Sequence, residues 1–202
     1  MTGLVLENVG VGNLSEVVLT LPAGQVACLS GPSGSGKSRL LRAVADLEPH
    51  DGVISLNGTS QQAIPAHRWR SRVVMVSADS QWWFDDVGSH FPEGADPILP
   101  SALGFPPEVK GWSVSRLSSG ERQRLALWRA LSLQPEALLL DEPTANLDND
   151  STEAIESWLL DEIRSRRIAV LWVAHDPGQI HRVADAHYRI QGNTLERVHG
   201  SD

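Results

Sequence analysis

Two groups of residues in this chain have the types and spacing to handle a phosphorylated ligand. Gly31-Pro32-Ser33-Gly34-Ser35-Gly36-Lys37-Ser38 matches G-x-x-x-x-G-K-[ST] at every fixed position. Glycines let the backbone turn tightly, so that successive N–H groups point inward at phosphate oxygens. A helix opening near Gly36 would aim its positive end at the same place. Lys37 would carry a point charge to the β- and γ-phosphates, and the Ser38 hydroxyl is a ligand for Mg2+. The second group is Asp141-Glu142, at the end of the apolar run Ala137–Leu140. Asp141 could hold Mg2+ through water, and Glu142 stands one residue further on, placed to polarise a water that attacks the γ-phosphate. Two adjacent acids could alone be a solvated turn. The phosphate loop in the same chain is what gives them a task.

These groups need a frame, and the apolar pattern supplies one. Val26-Ala27-Cys28-Leu29 reads as a compact strand entering the loop. The helix after it is expected to run through about Leu47, with Leu40, Leu41, Val44 and Leu47 on one face. Short strands are predicted at Leu4–Val9, Glu16–Leu21, Val53–Leu56, Arg72–Ser77, Ala137–Leu140 and Ile168–Ala174, with a hairpin over Ala186–Val198 around Gly192-Asn193. Helices are predicted at about Ser119–Leu133, Asp148–Arg166 and Pro177–Ala184. Residues from about Ser80 to Pro107 are rich in Pro, Gly and Trp and read as loops and short helices. The alternation of strands and helices makes the fold class α/β, a mostly parallel sheet with antiparallel N-terminal β strands. One domain, 1–202, is expected, with a core at about 1–78 and 134–202 and an inserted helical subdomain at about 79–133.

Composition narrows the function classes. The 202 residues carry a formal net charge of -8 and no basic stripe, which argues against a nucleic-acid surface. The single cysteine, Cys28, cannot form an internal disulfide and reads as a small core residue. With no signal peptide evident, a reducing cytosol is expected. No run approaches the ~20 apolar residues of a membrane span, so any membrane role needs another chain.

Four motifs together carry a family resemblance. Leu117-Ser118-Ser119-Gly120-Glu121 resembles the L-S-G-G-[QE] signature of ABC ATPases and lies about twenty residues before the acidic strand, as it does there. Ala145-Asn146-Leu147-Asp148 resembles the family's S-A-L-D loop, and His175, at a strand end before Asp176, resembles its switch histidine. The resemblance implies a P-loop NTPase fold and ATP and Mg2+ as cofactors. It implies a head-to-tail homodimer in which Ser118, Ser119 and Gly120 of one copy close over the ATP held by the other. It further implies catalytic roles for Lys37, Glu142 and His175, metal ligation by Ser38 and Asp141, and a separate transmembrane permease that brings the cytoplasmic subunit to the membrane. Ile168–Asp176 and Trp83–Val87 look like the ATPase subunits of small bacterial iron-export transporters. The other reading is an ATP-dependent, dimerising regulatory module with slow hydrolysis.

Three positions depart from the family pattern. Val11 stands where a ring usually stacks on adenine, Ala78 where a glutamine reaches the metal, and Ser119 where the signature has its first glycine. Asp79 or Gln81 could substitute for the glutamine, though neither is in register. Trp82 and Trp83 are read either as a partner surface or as filling for the helical subdomain. Trp112, Trp128, Trp158 and Trp172 are expected in the core, and Trp69 half-buried on a short helix.

Overall fold

The computed structural model describes residues 3–92 and 98–198; residues 93–97, inside the expected helical subdomain, lie outside the described residues. In chain order the first elements are β1 (Gly3–Val11), β2 (Leu14–Pro22), β3 (Val26–Ser30), α1 (Lys37–Val44), β4 (Asp51–Leu56), β5 (Thr59–Ser60), α2 (Ala66–Arg72) and β6 (Val73–Val76). They are followed by α3 (Ser119–Ser132), β7 (Ala137–Asp141), α4 (Asn149–Arg166), β8 (Ala169–Val173), α5 (Pro177–Val183), β9 (Ala186–Gln191) and β10 (Thr194–Val198). A four-stranded antiparallel sheet has the order β2-β1-β4-β5, and a six-stranded sheet the order β10-β9-β3-β8-β7-β6. Among the described residues of the larger sheet, only the β9–β10 pairing is antiparallel.

Period-two patterning explains how the two sheets bury their residues. Every residue of β3, β7 and β8 is buried, because both faces of these strands are covered. Ala27, Leu29, Leu139 and Leu171 point into a core shared with α1 and the inward residues of β1, β2 and β4. Their neighbours Cys28, Leu138, Leu140, Val170 and Trp172 point the other way, into a core with α3 and α4. Cys28 is fully buried, and that burial pushes its thiol up to about 12, so it is an inert packing group.

The structure corrects several expectations. α1 stops at Val44, and Leu47 is 52% exposed rather than on the buried face. Asp46 takes a left-handed φ of 58°, and Leu47 N–H donates to Arg42 O while Asp46 N–H donates to Ala43 O. This is a Schellman stop built on aspartate instead of the usual glycine. Arg72 ends α2 instead of opening a strand. Trp69, expected half-buried, is fully enclosed, and its Nε1–H donates to Val44 O at 2.8 Å, satisfying an end carbonyl of α1. Trp128 and Trp172 are core residues, whereas Trp112 and Trp158 are only half-buried. Between β6 and α3 the described residues form single 3-10 turns at Gly88–His90, Ser101–Leu103, Pro107–Gly111 and Val114–Arg116.

Candidate functional site

Parallel pairing gathers the chemistry at one sheet edge. Leu29 and Asp141 both register with Val173, so β3, β7 and β8 end side by side. The loop 31–36, the acids Asp141 and Glu142, and His175 leave from those ends, where ligands bind in open α/β sheets.

The phosphate loop has the shape its sequence requires. Gly34 and Gly36 take φ of +74° and +104°, values that suit glycine, and a methyl group built on Gly36 would meet Leu14 Cγ at 3.2 Å. Among the described residues no side chain caps α1, which leaves its first-turn N–H groups directed at the loop. Lys37 is 7% exposed, and its Nζ donates to Gly31 O and Pro32 O, each at 2.9 Å. Burial lowers its pKa, while the nearby carboxylates of Glu142 and Asp141 oppose that shift. The hydroxyl of Ser35 is buried without a hydrogen-bond partner among the described residues. An orphan donor inside a glycine cradle beside a buried ammonium fits a polyphosphate.

Asp141 closes β7 and is 7% exposed. Glu142 follows with φ 51°, an uncommon conformation for a non-glycine residue that carries strain where it aims a functional side chain. Its N–H donates to Val173 O at 3.2 Å, tying the turn to β8. His175 Nε2–H donates to Glu142 Oε1 at 2.8 Å, because an ionised carboxylate only accepts. Glu142, Thr144, His175 and Gln179 line a cavity of about 270 Å3. A larger hollow of about 1170 Å3, against Trp128, Trp158 and Arg166, is lined by neither the loop 31–38 nor Asp141, Glu142 or His175, so chemistry favours the sheet edge. Among the described residues no three His, Cys, Asp or Glu side chains converge to cage a metal ion. Ser38 and Asp141 are the residues whose oxygens could hold a Mg2+ ion beside bound phosphates.

The signature residues open α3. Ser118 caps α3, its Oγ accepting from Glu121 N–H at 3.2 Å while Glu121 Oε2 accepts from Ser118 N–H at 2.8 Å. Among the described residues, none of the hydrogen bonds made by Ser118–Gly120 goes to the phosphate loop. Ser119 has no left-handed φ, so serine in place of glycine adds no backbone strain. Gly120 is needed for a packing reason: a Cβ there would lie 2.9 Å from Asn146 O. The signature therefore rests directly on the loop that follows Glu142.

One network escapes the sequence reading. Glu156, 3% exposed on α4, accepts from Arg182 Nε at 2.7 Å and Nη2 at 3.0 Å, and from Gln179 Nε2 at 2.7 Å. Gln179 also donates to Thr144 Oγ1 at 2.7 Å, two residues beyond Glu142. The available signal is an acid three residues before Leu159 and seven before Ile163, on the buried stripe of α4.

The ABC transporter family model matches residues 14–145. The Fe(3+) ions import ATP-binding protein FbpC of Streptomyces coelicolor is 37% identical over 187 residues, covering 85% of this chain and 53% of its own length. This chain thus spans about half the length of that relative. The probable iron export ATP-binding protein FetA of Escherichia coli is 32% identical over 194 residues, covering 88% of this chain and 86% of its own length. A solved structure titled "Structure of ATP binding subunit of ABC transporter" superposes with a TM-score of 0.82 at 17% identity, covering 98% of this chain and 90% of that chain, and speaks for the fold alone. With a family model matched from the first hairpin to the loop beyond the acidic strand, the chain belongs to the ABC transporter family.

Proposed function

We propose that this chain is the ATP-hydrolysing subunit of a transporter, working as a head-to-tail dimer with two composite nucleotide sites and driving a separate membrane permease. The observation that carries the reading is the convergence of Lys37, Asp141 and the His175–Glu142 pair at one sheet edge. Lys37 and the loop amides hold the phosphates, giving up the lysine's contacts to Gly31 O and Pro32 O. Mg2+, held through Ser38 and Asp141, would neutralise charge building on the transferred phosphoryl group. Glu142, its carboxylate steadied by His175, orients and polarises the attacking water. The exposed helix start at Ser118–Ser119 suits the γ-phosphate bound by a second copy, because a helix N-terminus and its cap form an anion site. Loss of the γ-phosphate would then open the dimer.

The relatives FetA and FbpC are named for opposite directions of iron movement. What the two names share is iron, so iron is the cargo we propose, with the export direction resting on FetA alone. Trp83, 65% exposed, and Phe84, 50% exposed, offer an apolar face for the permease, with Arg129 stacked over Trp83 at 5.0 Å. A Glu142→Gln variant tests the proposal. It should bind Mg-ATP and sediment as a dimer with ATP but as a monomer with ADP, and it should lose hydrolysis by roughly 10²-fold or more. Wild-type turnover in that variant would contradict the assigned role.

The regulatory-module reading draws on the segment after β6. Ala78 is exposed, and the Gln81 amide donates to its own loop at Asp79 O, 3.2 Å away. Stimulation of turnover by a reconstituted permease separates a transport engine from a slow regulatory switch.

A further inference from the structure

The hydrogen bond between His175 and Glu142 joins two partly exposed side chains, so its geometry depends on what holds the two turns that carry them. One residue bonds to both turns. Gln179, on α5, is 8% exposed. Its backbone N–H donates to Asp176 Oδ2 at 3.0 Å, next in sequence to His175. Its side-chain Nε2 donates to Thr144 Oγ1 at 2.7 Å, two residues past Glu142. The same Nε2 donates to Glu156 Oε1 at 2.7 Å, and Arg182 grips that carboxylate by both oxygens. An amide nitrogen carries two hydrogens, and both are used, which fixes the plane of the Gln179 side chain.

Thr144 is itself buried and passes this constraint on. Its carbonyl accepts from Leu147 N–H at 3.1 Å, and Glu142 O accepts from Ala145 N–H at 3.2 Å, so residues 142–147 form two overlapping turns. Pro143 lies between Glu142 and Thr144, and its ring fixes φ there. Glu142 keeps its left-handed φ of 51° only while its surroundings hold it. A shift at Thr144 therefore reaches the Glu142 carboxylate across one stiff residue.

We propose that Gln179 is a positioning residue for hydrolysis: it ties Thr144 to the buried Glu156 and so sets where Glu142 and His175 hold the attacking water. This rests on the hydrolytic reading above. Among the described residues neither Gln179 nor Thr144 hydrogen-bonds to the loop 31–38, so the effect falls on the chemical step and not on nucleotide binding.

The test is steady-state ATPase kinetics for Thr144→Val, Thr144→Ser and Gln179→Leu, with Mg-ATP affinity from calorimetry. Valine keeps the shape of threonine and removes the acceptor. Thr144→Val and Gln179→Leu should each lower kcat by about tenfold to a hundredfold, the scale of misplacing a catalytic group, with KM and Mg-ATP affinity within about twofold. Thr144→Ser, which keeps the hydroxyl, should stay within about threefold of the wild-type rate. Thr144→Val combined with Gln179→Leu should lose no more than the worse of the two alone. Built into Glu142→Gln, either change should leave the residual rate within about twofold, because the carboxylate it positions is already gone. An unchanged kcat in Thr144→Val overturns the proposal. So does a matching loss of Mg-ATP affinity, or the same fold-loss in the Glu142→Gln background. A wild type that binds Mg-ATP without hydrolysing it would remove the hydrolytic reading, and this proposal with it.

Discussion

Replacing Arg182 by methionine should destabilise the isolated protein by about 2–3 kcal/mol, because a buried carboxylate then loses its cation. The Glu156 side chain is 4% exposed and accepts three hydrogen bonds, two from Arg182 and one from Gln179. Methionine keeps most of the arginine's apolar stem and removes both charged donors, leaving the carboxylate with Gln179 alone. Breaking a fully buried pair costs about 3–5 kcal/mol. The Arg182 side chain is 41% exposed, so water reaches the vacated place and brings the cost below that range, to about 2–3 kcal/mol. For a chain of this size the midpoint of thermal unfolding should fall by about 4–12 °C. Urea denaturation without nucleotide gives the free energy directly. Glu156→Leu combined with Arg182→Met should recover at least about 1.5 kcal/mol, since an apolar pair leaves no orphan charge. The network also holds Thr144, so Arg182→Met should lower kcat while nucleotide affinity at the untouched phosphate loop stays the same. Strictly additive single and double variants, or a loss under about 0.5 kcal/mol, would refute the claim that this buried charge depends on its partner.

Other outcomes follow from the loop before α3 and from the site. His90 Nε2 accepts from the N–H groups of Trp83 and Phe84 at 2.9 and 3.0 Å, and Nδ1–H donates to Asp86 O. Burial lowers its pKa from the ordinary 6.5, with Arg129 adding to that effect and Asp86 opposing it. The unfolded chain therefore takes up the proton first. The histidine's contribution is complete above about 6.5 and is lost as pH falls through the lower folded value. Hydrogen-exchange protection of the Trp83 and Phe84 amides should drop between pH 7.5 and 5.5, while that of β3 holds; equal protection at both pH values would contradict it. Trp83→Ala with Phe84→Ala should leave unfolding of the isolated chain within about 0.5 kcal/mol, since both are exposed, and should weaken permease binding measured by pull-down.

Much of this site is legible in the amino-acid sequence. The loop 31–38 declares itself by residue type, and the all-buried strands β3, β7 and β8 follow from continuous apolar runs that only a sheet covered on both faces explains. The His175–Glu142 contact joins residues 33 positions apart, and only the register of β7 with β8 brings them together. The end of α1 is hidden from sequence patterning because Asp46, not glycine, supplies the left-handed stop. Trp69 has the neighbours of a surface residue, an arginine on each side, yet it fills the core under α1. For Gly120, whose place in the signature suggests a phosphate donor, closeness to Asn146 O adds a packing demand that spacing does not reveal.

In the proposed dimer each nucleotide site takes its phosphate loop from one copy and its signature from the other. Lys37→Ala removes the phosphate-binding cation. Ser119→Glu places a negative charge at the exposed start of α3, where a helix tolerates an acid but a neighbouring γ-phosphate does not. Each variant alone should be inactive as an ATPase. Mixed in equal amounts they should recover about a quarter of the wild-type rate, because half the dimers then contain one site with both parts intact. No recovery on mixing, with both variants folded, would contradict the account.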